Sequence, residues 1–205
     1  MPQSRRYKKK KSAGKAILAW IIVLAILAAA VFVFVSVFYE DTKKKLDEMN
    51  YPRTYSTYVE KAAKDYDLDP ALIYAVIHTE SGFDPKAESG VGAKGVMQMM
   101  PSSFEWLQEQ RGCAGQYTED DLFDPEICID YGSYLLKYFY DYYGTERSAI
   151  AAYNAGFVVS DWLNDTNYSS DGKNLDSIPY PETENYVDKV DCLLYTSPSP
   201  RDGAT

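Results

Sequence analysis

The sequence predicts a mainly α-helical domain preceded by a single N-terminal transmembrane helix, and three patterns carry that prediction. Residues 16–38 are free of charged side chains, and at about 1.5 Å per residue a helix of that length spans the roughly 30 Å core of a bilayer. From Arg53 to Val190 the apolar residues recur mostly at helical spacing, and strand-like alternation is scarce. Helix start and stop signals punctuate the same stretch at short intervals.

The elements follow in chain order. Residues 1–15 form a basic tail holding Arg5, Arg6, Lys8, Lys9, Lys10, Lys11 and Lys15 with no acidic residue. The positive-inside rule therefore puts the tail in the cytoplasm and everything after residue 38 outside. A cleaved signal peptide is the alternative, but its apolar region would span about 7–15 residues. The only Ala-x-Ala site, Ala28 to Ala30, would leave Val31-Phe32-Val33-Phe34 as a greasy new terminus, so a retained anchor is favoured.

Residues 39–52 read as a polar stalk and 53–191 as one domain, large enough to bury roughly two thirds of its unfolded surface. Its first helix is expected from about Tyr55 to Asp65. Asp69-Pro70 supplies an N-cap and an N1 proline for a helix ending at Glu80, which Ser81-Gly82 stops. Further helices are expected from Pro101, after Asp124-Pro125, from Ser148 to Tyr153, and from Pro181. Residues 157–180, rich in Asp, Asn, Ser and Gly, read as a surface excursion. Residues 192–205 resemble a translated sequencing-library adapter. They are expected to be foreign to the domain, with the gene continuing past about Asp191 and the final helix truncated.

The chain has 21 Lys and Arg against 30 Asp and Glu, a formal charge of −9. Seven of the cations precede residue 16, so the remainder carries −16. Such a surface argues against nucleic acid as a partner, because phosphate binding needs a cationic face. A polyanionic ligand would have to be held by shape, hydrogen bonds and stacking.

Glu80 is the residue most out of place. Ile73, Val76 and Ile77 lie seven, four and three residues before it, so its carboxyl shares a face with the most apolar part of its helix. Burial and the negative end of the helix dipole both disfavour the charged form and push the pKa upward. A carboxylic acid still protonated near neutral pH suits general-acid chemistry.

Other candidate chemistry is thin. His78 is the only histidine and makes a poor metal site, so no metal and no cofactor are expected. Ser81 lacks a base partner and suits helix-end hydrogen bonding. Gly92 and Gly95 fit no phosphate-loop pattern. The Met97 to Met100 run reads as core and groove wall. Of the 19 tyrosines, those of the Tyr134 to Tyr143 stretch mostly serve helix packing. With Cys192 set aside, Cys113 and Cys128 remain, for which a disulfide and two buried free thiols are the open alternatives.

Four ordered motifs carry a resemblance. They are Glu80-Ser81-Gly82-Phe83, then Ala87-Glu88-Ser89 with Gly92 to Pro101, then Ala152-Tyr153-Asn154-Ala155-Gly156, and finally Pro181 to Val187. In that order and spacing they resemble the soluble-lytic-transglycosylase-like domain, with its lysozyme-like helical fold. The resemblance implies cleavage of the β-1,4 bond between N-acetylmuramic acid and N-acetylglucosamine in peptidoglycan. It implies Glu80 as the single acid/base, with Ser89, Gln98, Met100, Tyr153, Asn154 and Tyr186 lining the sugar groove or steadying the acid. Glu184 and Cys128 depart from the family pattern and receive no role. A true hydrolase would preferably need a second carboxyl, and a non-catalytic wall-binding scaffold would leave Glu80 without a purpose.

Overall fold

The computed structural model describes residues 17, 18, 20–22, 34, 35 and 54–196, with side chains given through 194. The expected tail, most of the 16–38 span and the stalk lie outside the described residues. Those of 16–38 that are described are helical, and no helix among the described residues is long and apolar enough to cross a membrane. The chain divides between Pro52 and Arg53 into two units.

The second unit, from Arg53 onward, is mainly helical. The order is α1 (Ser56–Tyr66), α2 (Pro70–Ser81), α3 (Pro101–Gln110), a 3-10 turn (Glu119–Phe123), α4 (Pro125–Tyr143), α5 (Glu146–Ala155), α6 (Val159–Asn164) and α7 (Pro181–Thr196). Principal packing is α4 on α5 and α1, with α7 against α2 and α5.

Local chemistry explains most boundaries. The Asp69 side chain accepts from Ala71 N–H, Pro70 occupies the first turn, and Gly82 at φ 59° closes α2 through a bond to the His78 carbonyl. Asp124, Pro125 and Gly144 do the same for α4, and the Thr145 side chain caps α5. Helix α2 buries Leu72, Ile73, Ala75, Val76 and Ile77 and so runs through the core. Helix α4 buries Ile129, Leu135, Leu136 and Phe139.

Two polar clusters fasten the periphery. Arg111, just after α3, donates to Asp130 at 2.6 Å and to Tyr66 Oη, while Tyr66 donates to Asp130 at 2.5 Å. Its guanidinium stacks between Tyr131 and Tyr134, 4.2 and 4.4 Å from their ring centres. Lys94, largely buried, reaches Glu119 at 3.2 Å and Asp120 at 3.1 Å, tying its loop to the 3-10 turn.

Of the two alternatives open for the cysteines, the structure has Cys113, half-buried, and Cys128, buried, as free thiols. The first turn of α4 aims Cys128 inward, where its Sγ meets Met97 N–H at 3.4 Å, while Cys113 Sγ lies 3.3 Å from Tyr131 Oη. The 157–180 segment is not all surface excursion, because α6 within it buries Val159, Trp162 and Leu163. Helix α7 runs to Thr196, with Leu193 and Leu194 partly buried against the core.

Candidate active site

The site grows from the C-terminal end of α2. Helix α2 is buried through its middle turns, and its last turn brings the half-buried Glu80 to the edge of the core while Gly82 turns the chain away. Ser81 then anchors that end by donating to the carbonyl of Val96 at 2.8 Å and of Ile77 at 3.3 Å, the helix-end role its sequence suggested.

The loop facing Glu80 is held by its own polar groups. Short antiparallel bridges join Glu88 to Lys94 and Lys94 to Met99. Ser89 Oγ accepts from Ala93 N–H at 2.9 Å. Gln98 sits at φ 46°, a left-handed conformation that a side chain rarely adopts. Its amide group donates to the carbonyls of Ala87 and Gly95, both at 3.0 Å, and these bonds hold the strained residue in place. Met97 and Met99 are core, whereas Met100 is exposed.

Helices α5 and α7 close the other side. Tyr153 Oη donates to the Met97 carbonyl at 2.9 Å, fixing the loop to α5. Asn154 Oδ1 accepts from Thr183 Oγ1 at 2.8 Å, fixing α5 to α7. One turn on, α7 brings in Tyr186, which is buried.

Glu80 is raised from 4.5 to about 7, chiefly by burial, with the Tyr186 phenol opposing the rise. The Tyr186 hydroxyl is nevertheless buried without a partner in hydrogen-bond geometry among the described residues. The two groups adjoin, each shifting the other. Burial first and the Glu80 charge second push Tyr153 and Tyr186 up. Burial also pushes the Cys128 thiol up to about 12, with Glu80 as a minor contributor.

Six of the seven sequence-nominated residues thus have a definite place. Glu80 and Tyr186 adjoin, Tyr153 is near enough to sense the Glu80 charge, and Ser89, Gln98 and Asn154 fasten the surrounding backbone. Met100 is placed only as an exposed side chain at the start of α3. Thr183 was not nominated. Its signal was its position inside the last motif, three residues before Tyr186. Among the described residues no group of three or more His, Cys, Asp or Glu is arranged to hold a metal. His78 instead packs its ring edge-on to Phe83 at 5.9 Å.

Burial of Glu80 also makes stability depend on pH. Between pH 4.5 and about 7 the folded chain binds the proton that the unfolded chain has released, so stability falls as pH rises through that window. At about 1.4 kcal/mol per unit the shift corresponds to roughly 3 kcal/mol, and residual exposure reduces this to about 2. Glu80→Gln is accordingly expected to raise stability by about 2 kcal/mol at pH 8 and hardly at all at pH 4, as read by urea denaturation.

A helical domain that buries one carboxyl at the end of its central helix, roofed by tyrosines from two later helices, defines the structural class. Comparison with known proteins makes this specific. The Transglycosylase SLT domain family matches residues 57–175, and the chain belongs to that family. The soluble lytic murein transglycosylase of Escherichia coli (strain K12) is 32% identical over 146 residues, covering 70% of this chain and 23% of that protein. A membrane-bound lytic murein transglycosylase C from Actinobacillus succinogenes is 35% identical over 113 residues, covering 51% of this chain and 32% of the relative. Among solved structures, the 70 kDa soluble lytic transglycosylase of Escherichia coli superposes with a TM-score of 0.63 at 28% identity, over 72% of this chain and 24% of that one. An inactive Glu-to-Gln mutant of lytic transglycosylase Slt from Pseudomonas aeruginosa gives 0.62 at 30% identity, with the same coverage. The fold is therefore the mainly helical, lysozyme-like SLT fold. The chain spans about a quarter of the length of its soluble relatives and about a third of the membrane-bound ones.

Proposed function

We propose that the protein is a membrane-anchored peptidoglycan lytic transglycosylase that cleaves the bond between N-acetylmuramic acid and N-acetylglucosamine without consuming water. The observation that carries this reading is Glu80, a carboxyl that burial raises to about 7. Among the described residues no second carboxylate contributes to its shift, whereas a glycosidase ordinarily sets two within about 5–9.5 Å. A one-acid site can take its nucleophile from the substrate.

The chemistry then runs as one proton cycle. Protonated Glu80 gives its proton to the glycosidic oxygen, the bond from that oxygen to C1 of muramic acid breaks, and the N-acetyl group helps stabilise the cation. The C6 hydroxyl closes on C1 and returns its proton to the Glu80 carboxylate. The products are a free acetylglucosamine hydroxyl and a 1,6-anhydromuramoyl end, and Glu80 is ready again. Tyr186, which adjoins Glu80, supplies a hydrogen bond to the carboxylate. Ser89, Gln98, Met100, Tyr153 and Asn154 shape the groove, and the name of the Pseudomonas Glu-to-Gln mutant, called inactive, supports one glutamate as decisive.

Residues 16–38 anchor the domain on the extracytoplasmic face against the wall, a reading favoured by the basic residues 5–15 and by the membrane-bound relatives. Full-length protein in detergent micelles should release soluble muropeptides from purified sacculi. Binding to sacculi with no loss of turbidity would replace this reading with the wall-binding scaffold.

A further inference from the structure

We propose that Phe157 and Tyr142, backed by Trp106 and Tyr138, form an aromatic platform on which a sugar ring of the glycan strand stacks outside the immediate neighbourhood of Glu80. The proposal rests on the reading of the groove as a glycan site and adds to it a binding surface, with carbohydrate as its ligand class.

The rings come from three elements. Trp106 lies on α3, Tyr138 and Tyr142 lie one turn apart on α4, and Phe157 lies in a second 3-10 turn, Gly156–Val158, that follows α5. Phe157 is 48% exposed and Tyr142 59% exposed. Phe157 is nonetheless held edge-on by four neighbours, with ring centres 6.2 Å from Trp106, 6.2 Å from Tyr138, 5.3 Å from Phe139 and 5.9 Å from Tyr142. Tyr138 and Tyr142 lie nearly parallel, 13° apart at 6.3 Å, and Trp106 meets Tyr138 at 5.0 Å. An aromatic side chain fixed this firmly would ordinarily bury its faces. Rigid rings left in water mark a binding surface.

Three observations say what covers it. The first is continuity with the proposed groove. Met100 stands at the N-cap of the helix that carries Trp106, and Asn154, itself exposed, precedes Phe157 by three residues. The second is size, because two exposed rings offer far less than the roughly 800 Å² per partner of a stable protein interface. They do match the flat, weakly polar face of a pyranose, with the tyrosine hydroxyls available for its rim. The third is charge. Exposed Glu105 and Asp161 stand near these rings in sequence and Asp141 is paired with Lys137 at 2.8 Å, so the acidic flank does not attract an anionic lipid headgroup layer, whereas an uncharged sugar ring stacks without a cation.

The test uses full-length protein in detergent micelles carrying Glu80→Gln, so that strands are bound and not cut, with retention on purified sacculi as the readout. Adding Phe157→Gln and Tyr142→Gln should weaken retention by roughly tenfold, about 1.4 kcal/mol. Phe157→Tyr, which keeps the ring, should stay within about twofold of the parent. Circular dichroism and thermal melting of each variant verify that the fold is kept. Retention of the folded double variant equal to the parent, or a parent that does not bind sacculi, would overturn the platform. So would a Phe157→Tyr variant as weak as the double one. Because this readout needs no catalysis, loss of retention supports the platform even if the Glu80 chain released no muropeptides. Intact muropeptide release alongside unchanged retention would remove the platform alone.

Discussion

Glu80→Gln is expected to lower the release of soluble muropeptides from sacculi by about 10²–10⁴-fold, the range that a positioned general acid contributes. The glutamine keeps the size and hydrogen-bonding shape of the protonated acid but can neither give nor take a proton. The same change should leave the fold intact and, at pH 8, firmer, since it removes a carboxyl held at about 7 by burial. Activity and stability moving in opposite directions on one substitution separates a catalytic residue from a structural one. Undiminished release by the variant, measured at equal protein concentration, would remove Glu80 from the chemistry.

Gly95→Ala is expected to be the most damaging small substitution in the domain. Gly95 has φ 76°, and a Cβ there would stand 2.0 Å from the Leu122 carbonyl oxygen and 2.9 Å from Cys128 Sγ. The obstacle is backbone, so no rotamer change relieves it. Strain from the left-handed backbone and the overpacking together are expected to lower stability by about 3–5 kcal/mol in urea denaturation. Gly95 also accepts one of the Gln98 bonds through its carbonyl, so the loop facing Glu80 should shift and activity should fall with stability. An alanine variant as stable as the parent would mean that the loop does not approach the 3-10 turn this closely.

Much of the domain was legible in the sequence because its signals are local. Asp69-Pro70 and Gly82 bracket α2 within a residue of their expected places, and Asp124-Pro125 starts α4. Glu80 could be singled out from Ile73, Val76 and Ile77 alone, since all lie on its own helix. What escaped was set by packing. Helix α6 is too short for periodicity to register among the Asp and Asn residues around it, yet it buries Trp162. Whether Cys128 could reach Cys113 depended on how α4 rotates against the loop at Met97, which spacing does not encode. The neighbours of Glu80 come from residues about 70 and 106 positions later, Tyr153 and Tyr186, and only the ordered motifs pointed to them. The aromatic platform was invisible for the same reason, because its four rings meet from three elements.

The central claim is that a single carboxyl serves as acid and then as base, with the sugar's own C6 hydroxyl as nucleophile. Mass spectrometry of the muropeptides released by the Glu80 protein tests it most directly. The account predicts 1,6-anhydromuramoyl ends, lighter by one water than the reducing ends of hydrolysis. Reducing ends carrying oxygen from isotopically labelled water would contradict it and make the protein a hydrolytic muramidase.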